Sequence, residues 1–262
     1  MKTFLEMLNV TFSMFSRVPV RRIEWTPQNR KNTLAAFPLV GLLTGLCWIL
    51  VLLLCTHFGV PALLTGAFLT GLPLLVVGGI HLDGYLDTCD ALGSHAPKEK
   101  KLQILSDPHT GAFAVIHGAV FLVLWFAAST VLAERGSLPI WILTGLCFAL
   151  SRTLSGLSVT TFPLAKNTGL AHAFAETADK KTVRSCLFFW LVLLLILIGL
   201  LDLLAKTMPA GLLICCSAAL MFFRYRYTAV RQFGGTTGDL AGWFLSLCEL
   251  WMLVAAALVS VT

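Results

Sequence analysis

Three aspartates recur at helical spacing in the segment HLDGYLDTCDALGS. Asp83, Asp87 and Asp90 stand at positions i, i+4 and i+7, so on a helix all three project from one face. Two carboxylates about 5 Å apart repel each other by roughly 3 kcal/mol at an effective dielectric constant near 20. Because no lysine or arginine lies within one turn, the carboxylates either have raised pKa values or bind a cation.

A hard divalent cation with oxygen ligands fits this cluster. Mg²⁺ is commonly held by a few carboxylates together with substrate phosphates. We therefore predict a Mg²⁺ site on Asp83, Asp87 and Asp90, and a further carboxylate, Asp107, follows after a basic segment. Gly84 would allow a ligand to approach the backbone closely. The alternative interpretation is a solvated polar face, but such faces normally mix lysine and glutamate, whereas this one has only aspartate.

Two histidines flank these carboxylates. His81 lies two residues before Asp83, and His109 lies two residues after Asp107. Each histidine can serve as a ligand or as an acid–base group. The alternative is a hydrogen-bonded structural histidine, which is the commoner role of a lone histidine.

A second polar segment, 224–239, reads RYRYTAVRQFGGTTGD. Glycines and threonines beside arginines, just before an apolar run, can present backbone N–H groups to a phosphate. Glycines also form ordinary turns, so the pattern alone is a weak signal. The candidate binding residues here are Arg231, Gly234, Gly235, Thr237 and Asp239.

Two further charges lie inside apolar runs, where an ionisable residue is costly and is therefore a functional candidate. They are Glu249 and Arg152, and the arginine is a natural partner for a carboxylate or a phosphate. The 163–184 loop adds polar residues that we place on the same side of the membrane as the aspartates. These are Lys166, Asn167, Gly169 and His172.

The elements that position these residues follow from an apolar composition. Hydrophobic residues make up 57% of the 262-residue chain and charged residues only 12%, whereas soluble domains carry about 25% charged residues. This composition excludes a soluble globular protein, a disordered chain and a free nucleic-acid binder. Long uninterrupted apolar runs predict an all-α, polytopic membrane bundle of about seven transmembrane helices. The predicted spans are 34–56, 60–80, 111–133, 138–162, 185–205, 208–223 and 240–261.

The chain before the first span predicts an additional helix. Phe4, Leu8, Phe12 and Phe15 recur at helical spacing, which indicates an amphipathic helix lying in the membrane interface. The alternative is a ragged start to the first helix of the bundle. We treat 1–262 as a single membrane-embedded catalytic domain. It contains an interfacial or cytoplasmic N-terminal segment, 1–33, and an acidic cytoplasmic loop, 81–110.

The distribution of basic residues predicts the orientation. With the N-terminus inside the cell, 16 of the 19 lysines and arginines fall in cytoplasmic segments, as the positive-inside rule requires. All the candidate chemistry then lies on the cytoplasmic face. The net charge of +6 is therefore explained by topology, and does not imply nucleic acid as a partner. The bilayer is the expected partner, and the sequence leaves a homo-oligomer open.

Several motifs together resemble one family. The segment HLDGYLDTCDALGS, followed by a basic stretch and ILSDPHTGAFAV, is similar to the signature of the cobalamin synthases, the adenosylcobinamide-GDP ribazoletransferases. FSRVPV near the start, FPLVGLLTG at 37–45 and GGTTGDLAGWFLSLCEL at 234–250 match further family elements in the right order. The resemblance covers essentially the whole chain. Two departures are Ala91, where the family usually has glycine, and Pro108-His109, which replaces a Ser-Arg-like pair.

The resemblance implies a Mg²⁺-dependent enzyme of the cytoplasmic (inner) membrane. It would join α-ribazole, or its 5′-phosphate, to adenosylcobinamide-GDP and release GMP, forming adenosylcobalamin or its 5′-phosphate. Metal held by Asp83, Asp87, Asp90 and Asp107 would neutralise the developing charge on the phosphates. Asp107 or His109 would accept the proton of the attacking hydroxyl. Asp239 would complete the metal site or position ribose hydroxyls, and Arg152 and Arg231 would hold phosphate.

Two other interpretations remain open at this stage. CDP-alcohol phosphotransferases also displace a nucleotide with a membrane-embedded aspartate cluster, but their signature continues from Asp-Gly with Ala-Arg, whereas Asp83-Gly84 is followed by Tyr85. A cation or corrinoid transporter would place carboxylates near the middle of several spans, and only Glu249 clearly does so.

Overall fold

The computed structural model describes residues 2–21, 26–166, 168–169, 173–174, 179–207 and 209–261. Within these ranges the regular elements are helices, and an isolated parallel bridge joins Leu164 to Thr236. The predicted all-α class is therefore confirmed. The helices are α1 (Lys2–Phe15), α2 (Pro27–Arg30), α3 (Thr33–His57), α4 (Ala62–Val77), α5 (Ile80–Gly93), α6 (Lys98–Ile104), α7 (Ala112–Arg135), α8 (Leu138–Thr161), α9 (Lys180–Leu204), α10 (Ala210–Thr228) and α11 (Gly238–Val259). A π-helical turn, Ala229–Phe233, follows α10.

Five helices in the described part of the chain are long and apolar enough to cross a membrane: α3, α7, α8, α9 and α11. The count rises to six if α4 and α5 together form one broken span. The polytopic bundle is confirmed, but the predicted number of about seven spans is higher than this count. The predicted span 208–223 corresponds to α10, which is not among the five and ends in the polar sequence RYRYT.

A sharp bend separates α4 from α5. The two helices meet at 97°, and Gly78 and Gly79 between them have φ values of 72° and 79°, a region that side chains other than glycine rarely adopt. The backbone N–H of Arg17, just after α1, donates to the carbonyl of Val76 at 2.7 Å. Because of this bend, α5 does not continue the direction of α4 across the bilayer. Much of the predicted acidic loop is thus the separate helix α5.

The centre of the bundle is formed by α8 and α11, which are buried along most of their length. Around them pack α3, α5, α7, α9 and α10. A second cluster of buried apolar residues lies apart from the main core, where α1 meets α3 and α8. Phe15 and Phe37 pack there with ring centroids 4.4 Å apart, so the end of α1 belongs to the bundle. Phe4 at its start is exposed, and the interfacial position of α1 stays a prediction.

Candidate active site

A cavity of about 460 Å³ lies among the described residues, and we call it the main cavity. It opens between the ends of several helices and is lined by both polar and apolar side chains. We call Asp83, Ser106, Lys166, Thr237 and Asp239 its polar wall, and its other polar lining comes from His81, Ser155, Thr168 and the backbone of Gly238. Residues far apart in the sequence therefore meet at one place, and two of the predicted site aspartates are among them.

Close packing of α5 against α11 brings these two aspartates together. A Cβ atom on Gly84 would lie 2.7 Å from the carbonyl oxygen of Asp239 and 2.8 Å from its Cα. One turn later, a Cβ on Gly242 would lie 3.0 Å from the carbonyl oxygen of His81, to which the hydroxyl of Ser246 donates at 3.2 Å. Glycine at these positions permits the approach. The sequence predicted that a ligand would approach the backbone at Gly84, whereas in the structure the backbone of α11 lies there.

The carboxylates of this region influence one another electrostatically. Burial, followed by the carboxylates of Asp83, Asp239 and Asp90, raises the pKa of Asp87 to about 6. Mutual repulsion of this kind is relieved by protonation or by a cation. Asp83, Asp87 and Asp90 lie on one helix, α5, as predicted, and Asp239 of α11 adds a fourth carboxylate near Asp87.

Asp90 has a specific partner elsewhere. Its carboxylate accepts hydrogen bonds from the backbone N–H groups of Gly111 at 2.6 Å and Ala114 at 2.9 Å. These N–H groups belong to the start of α7, where backbone donors lack intrahelical acceptors. Asp90 therefore caps α7 from a neighbouring helix, a role that its spacing did not predict. Its predicted role as a metal ligand stays a prediction.

Asp107 and His109 form a pair in the loop between α6 and α7. His109 Nδ1 lies 2.7 Å from the Asp107 carboxylate, and the His109 backbone N–H donates to the same oxygen at 3.0 Å. That backbone hydrogen bond, followed by the side-chain one, lowers the pKa of Asp107. Both side chains are exposed, and the cavity wall includes the preceding residue, Ser106. Their roles as metal ligand and base stay predictions.

Lys166 is the cavity residue whose function the sequence left unassigned. Its ammonium group donates to the carbonyl of Leu102 at 2.7 Å and to the hydroxyl of Ser106 at 2.8 Å. Together with Asp239 it lines the cavity, so the lysine contributes a positive charge to the polar wall. A lone lysine in a loop carries no motif that could single it out. Two other polar residues of that loop, Asn167 and His172, lie outside the described residues.

The glycine motif shapes the loop that carries Lys166. A Cβ on Gly235 would lie 2.5 Å from the carbonyl carbon of Leu164. The two segments are joined by backbone hydrogen bonds from Thr236 N–H to the Pro163 carbonyl at 2.8 Å and from Ala165 N–H to the Thr236 carbonyl at 3.0 Å. The motif therefore holds the segment just before Lys166 in place.

Thr237 begins α11, and its hydroxyl accepts a hydrogen bond from the Leu240 N–H at 3.2 Å. Of the five binding residues predicted in this segment, Thr237 and Asp239 line the cavity of the described structure. Gly234 ends the π-helical turn with a φ of 81°, and Arg231 is exposed on that turn. The threonine and aspartate are thus at the site, while the glycines shape the loop next to it.

Arg152 and Glu249 form a buried ion pair inside the bundle. The hydroxyl of Ser151 also donates to the Glu249 carboxylate at 2.7 Å. Both charged residues border a smaller cavity of about 30 Å³. His81 lines both this cavity and the main cavity. Of the two partners expected for Arg152, the structure supplies the carboxylate. Phosphate binding by Arg152 or Glu249 stays a prediction.

The carboxylates at the cavity are too few to bind a cation alone, so further oxygen ligands have to come from water or substrate. In the parts of the chain that the structure describes, no three histidine, cysteine or acidic side chains are arranged to hold a metal ion by themselves. Mg²⁺ is usually bound through one or two carboxylates, with waters and substrate phosphates as the other ligands. Asp83 and Asp239 supply carboxylates of this kind, so the residues present fit Mg²⁺ that arrives with a phosphate-bearing substrate.

Comparison with known proteins agrees with the motifs. A family profile described as cobalamin-5-phosphate synthase matches residues 7–257. A protein of Lachnoclostridium phytofermentans named adenosylcobinamide-GDP ribazoletransferase is 40% identical over 247 residues, which cover 94% of this chain and 91% of that protein. Proteins of the same name from Clostridium perfringens and Pseudomonas putida are 32% and 34% identical, over 95% of this chain and 96% and 97% of their own.

No solved structure matches the chain. The sequence relationship is nevertheless extensive, since the family profile begins within α1, ends within α11 and includes part of every element that contributes to the cavity. The chain belongs to the cobalamin-5-phosphate synthase family.

Proposed function

We propose that this protein joins α-ribazole, or its 5′-phosphate, to adenosylcobinamide-GDP and releases GMP. The observation that carries the proposal is the cavity where Asp83 of α5 and Asp239 of α11 meet beside Lys166. Relatives that match 94% and 95% of this chain are named for this transfer. The family match favours the transferase over the phosphotransferase-like and transporter alternatives.

The proposed reaction is a phosphoryl transfer. A ribose hydroxyl of ribazole attacks the corrinoid-side phosphorus of the pyrophosphate, a new P–O bond forms, and the bond to the bridging oxygen breaks so that GMP leaves. Lys166 would hold the phosphate oxygens, and the backbone N–H of Gly238 at the start of α11 would add a donor. The Asp107–His109 pair, next to Ser106 of the cavity wall, stays the predicted acceptor of the hydroxyl proton.

We propose Mg²⁺ as the metal. Asp83 and Asp239 would hold it together with water and substrate phosphate oxygens, and when bound it would neutralise charge that develops on the phosphate oxygens. Burial and the neighbouring carboxylates raise the pKa of Asp87 to about 6, and a bound cation would relieve this repulsion between carboxylates.

The function is tested with purified protein in lipid vesicles. Supplied with adenosylcobinamide-GDP, α-ribazole and Mg²⁺, the protein is expected to release GMP, and Asp83→Asn is expected to abolish release with the fold intact. Glu134→Gln, an exposed carboxylate on the other end of α7, is the matched control and should retain activity. Folded wild-type protein without turnover would contradict the proposed function, and a normal rate for Asp83→Asn would remove Asp83 from the site.

We also propose that the site faces the cytoplasm from the inner membrane. The support is the excess of lysine and arginine on that side of the predicted topology. In a cysteine-free background, Lys98→Cys is expected to be shielded from an impermeant thiol reagent added to intact cells, while Arg135→Cys is expected to react. The opposite labelling pattern would reverse the orientation.

A further inference from the structure

The main cavity has a second wall that the phosphoryl transfer does not use. Its six side chains are apolar, in contrast to those of the polar wall. All six belong to the smaller apolar cluster that is separate from the main core. They come from α1, α3, α8, α11 and the described pair 173–174. The members are Phe15, Leu34, Phe37, Val159, Phe174 and Ala241. We call this set the aromatic wall.

Three phenylalanine rings dominate the aromatic wall. The ring centroid of Phe15 lies 4.4 Å from that of Phe37 and 5.8 Å from that of Phe174. The Phe37 ring also lies 5.9 Å from the ring of His81, which is two residues from Asp83. The rings are tilted by 39° and 31° to one another and are at most 9% exposed, so they line the cavity beside the carboxylates as a packed aromatic cluster. Aromatic side chains that line a cavity can contact flat heteroaromatic rings.

We propose that the aromatic wall binds the benzimidazole base of ribazole and so places the ribose between the base and the carboxylates. This inference rests on the proposed function and assigns the part of the cavity that selects the nucleophilic substrate. With the base against Phe37 and Phe15, the ribose hydroxyl faces the wall that contains Asp83, Asp239 and Lys166. A site that holds both reactants in a reactive geometry makes a bimolecular transfer effectively unimolecular, and this is what the aromatic wall would contribute.

The chemistry of the wall favours this occupant over the two other large groups of the substrates. Guanine has several hydrogen-bonding atoms along its edge, and these would be left without partners among phenylalanine, leucine and valine. The corrin macrocycle carries amide side chains around its rim, which need polar partners for the same reason. A benzimidazole with methyl groups on its edge is flat and apolar, and it matches such a surface.

The test separates the two substrates kinetically. Phe37→Leu and Phe15→Leu are each expected to raise the KM for α-ribazole by about tenfold, the scale of losing one base-stacking contact. The kcat at saturating ribazole and the KM for adenosylcobinamide-GDP should stay close to wild type. Phe37→Tyr keeps the ring and should restore the KM for ribazole. Phe121→Leu, an equally buried phenylalanine packed on Tyr85 and Trp125, is the control and should change neither KM.

A binding measurement decides the inference without turnover. Dimethylbenzimidazole alone is expected to bind wild-type protein in micelles, and the affinity should fall by a similar factor in Phe37→Leu but not in Phe121→Leu. Guanosine should not compete with it. The inference is overturned if the Phe37 and Phe15 variants raise only the KM for the corrinoid substrate, or if they bind dimethylbenzimidazole as wild type does. Failure of the proposed function looks different, since wild-type protein would then release no GMP at all.

Discussion

Arg152 of α8 and Glu249 of α11 form an ion pair at the centre of the helix bundle, and their side chains are only 1% and 7% exposed. The arginine also donates to the carbonyl of Phe148 at 3.1 Å, and Ser151 donates to the glutamate at 2.7 Å. Each charge thus depends on the other for compensation, because neither has access to bulk water. The pair connects the two most buried helices of the bundle.

We expect single substitutions of this pair to destabilise the protein strongly. Arg152→Met leaves Glu249 as an unpaired buried carboxylate, and breaking a buried pair by removing one partner costs about 3–5 kcal/mol. The double variant Arg152→Met/Glu249→Leu removes both charges and should be closer to wild type than either single variant. Thermal unfolding in detergent micelles measures this. Losses that simply add in the double variant would show that the two residues do not act as a pair.

The contact between α5 and α11 gives a second prediction, for Gly84→Ala. The added Cβ would lie 2.7 Å from a backbone oxygen of Asp239, so one helix has to shift and the carboxylates of Asp83 and Asp239 separate. We expect a large loss of GMP release with little change in helical content by circular dichroism. Gly71→Ala in α4 is the matched control, since its Cβ would meet no atom within 4 Å, and it should retain activity. Normal activity of Gly84→Ala would show that the close approach is not needed.

Helical spacing predicted part of this site correctly. The i, i+4, i+7 pattern of Asp83, Asp87 and Asp90 indicated one face of a helix, and α5 confirms the helix. Spacing within one helix cannot show which neighbour that face meets. Asp90 meets the start of α7, whereas Asp83 borders the cavity. Residues with the same pattern therefore have different environments.

Long-range packing explains what the sequence could not predict. Arg152 and Glu249 were each recognisable by the cost of a charge inside an apolar run, but their pairing depends on how α8 packs against α11. Lys166 lies in a polar loop and not in an apolar run, so its charge did not mark it as functional. Its place beside Asp239 follows from the contact between Gly235 and Leu164. Composition and periodicity describe single helices, while the site is formed where several of them meet.

The two roles open to Asp90 give a third prediction. If it acts as the cap of α7, Asp90→Ala should lower the free energy of unfolding by about 0.5–2 kcal/mol, the usual cost of losing a helix cap. Asp90→Asn keeps one acceptor oxygen and should lie between alanine and wild type in stability, with substantial turnover. Asp107→Ala, an exposed carboxylate, is the control for stability. Loss of turnover in Asp90→Asn without loss of stability would favour a metal ligand instead of a cap.

The fourth prediction concerns Gly235→Ala. The added Cβ would lie 2.5 Å from the carbonyl carbon of Leu164 and 2.6 Å from the amide nitrogen of Ala165, so the segment that precedes Lys166 has to move. We expect slower GMP release and a higher KM for the pyrophosphate substrate, because the lysine no longer faces the phosphates. Gly199→Ala in α9, where the Cβ would meet no atom within 4 Å, should behave as wild type.

A double variant shows whether this effect passes through Lys166. Lys166→Gln removes the positive charge directly and should itself raise the KM for the pyrophosphate substrate. If Gly235→Ala acts by displacing Lys166, combining the two substitutions should add little to the larger single effect, since residues that share one interaction are not additive. Full additivity of the two losses would instead mean that the glycine motif contributes to catalysis separately, for example by contacting phosphate through its own backbone.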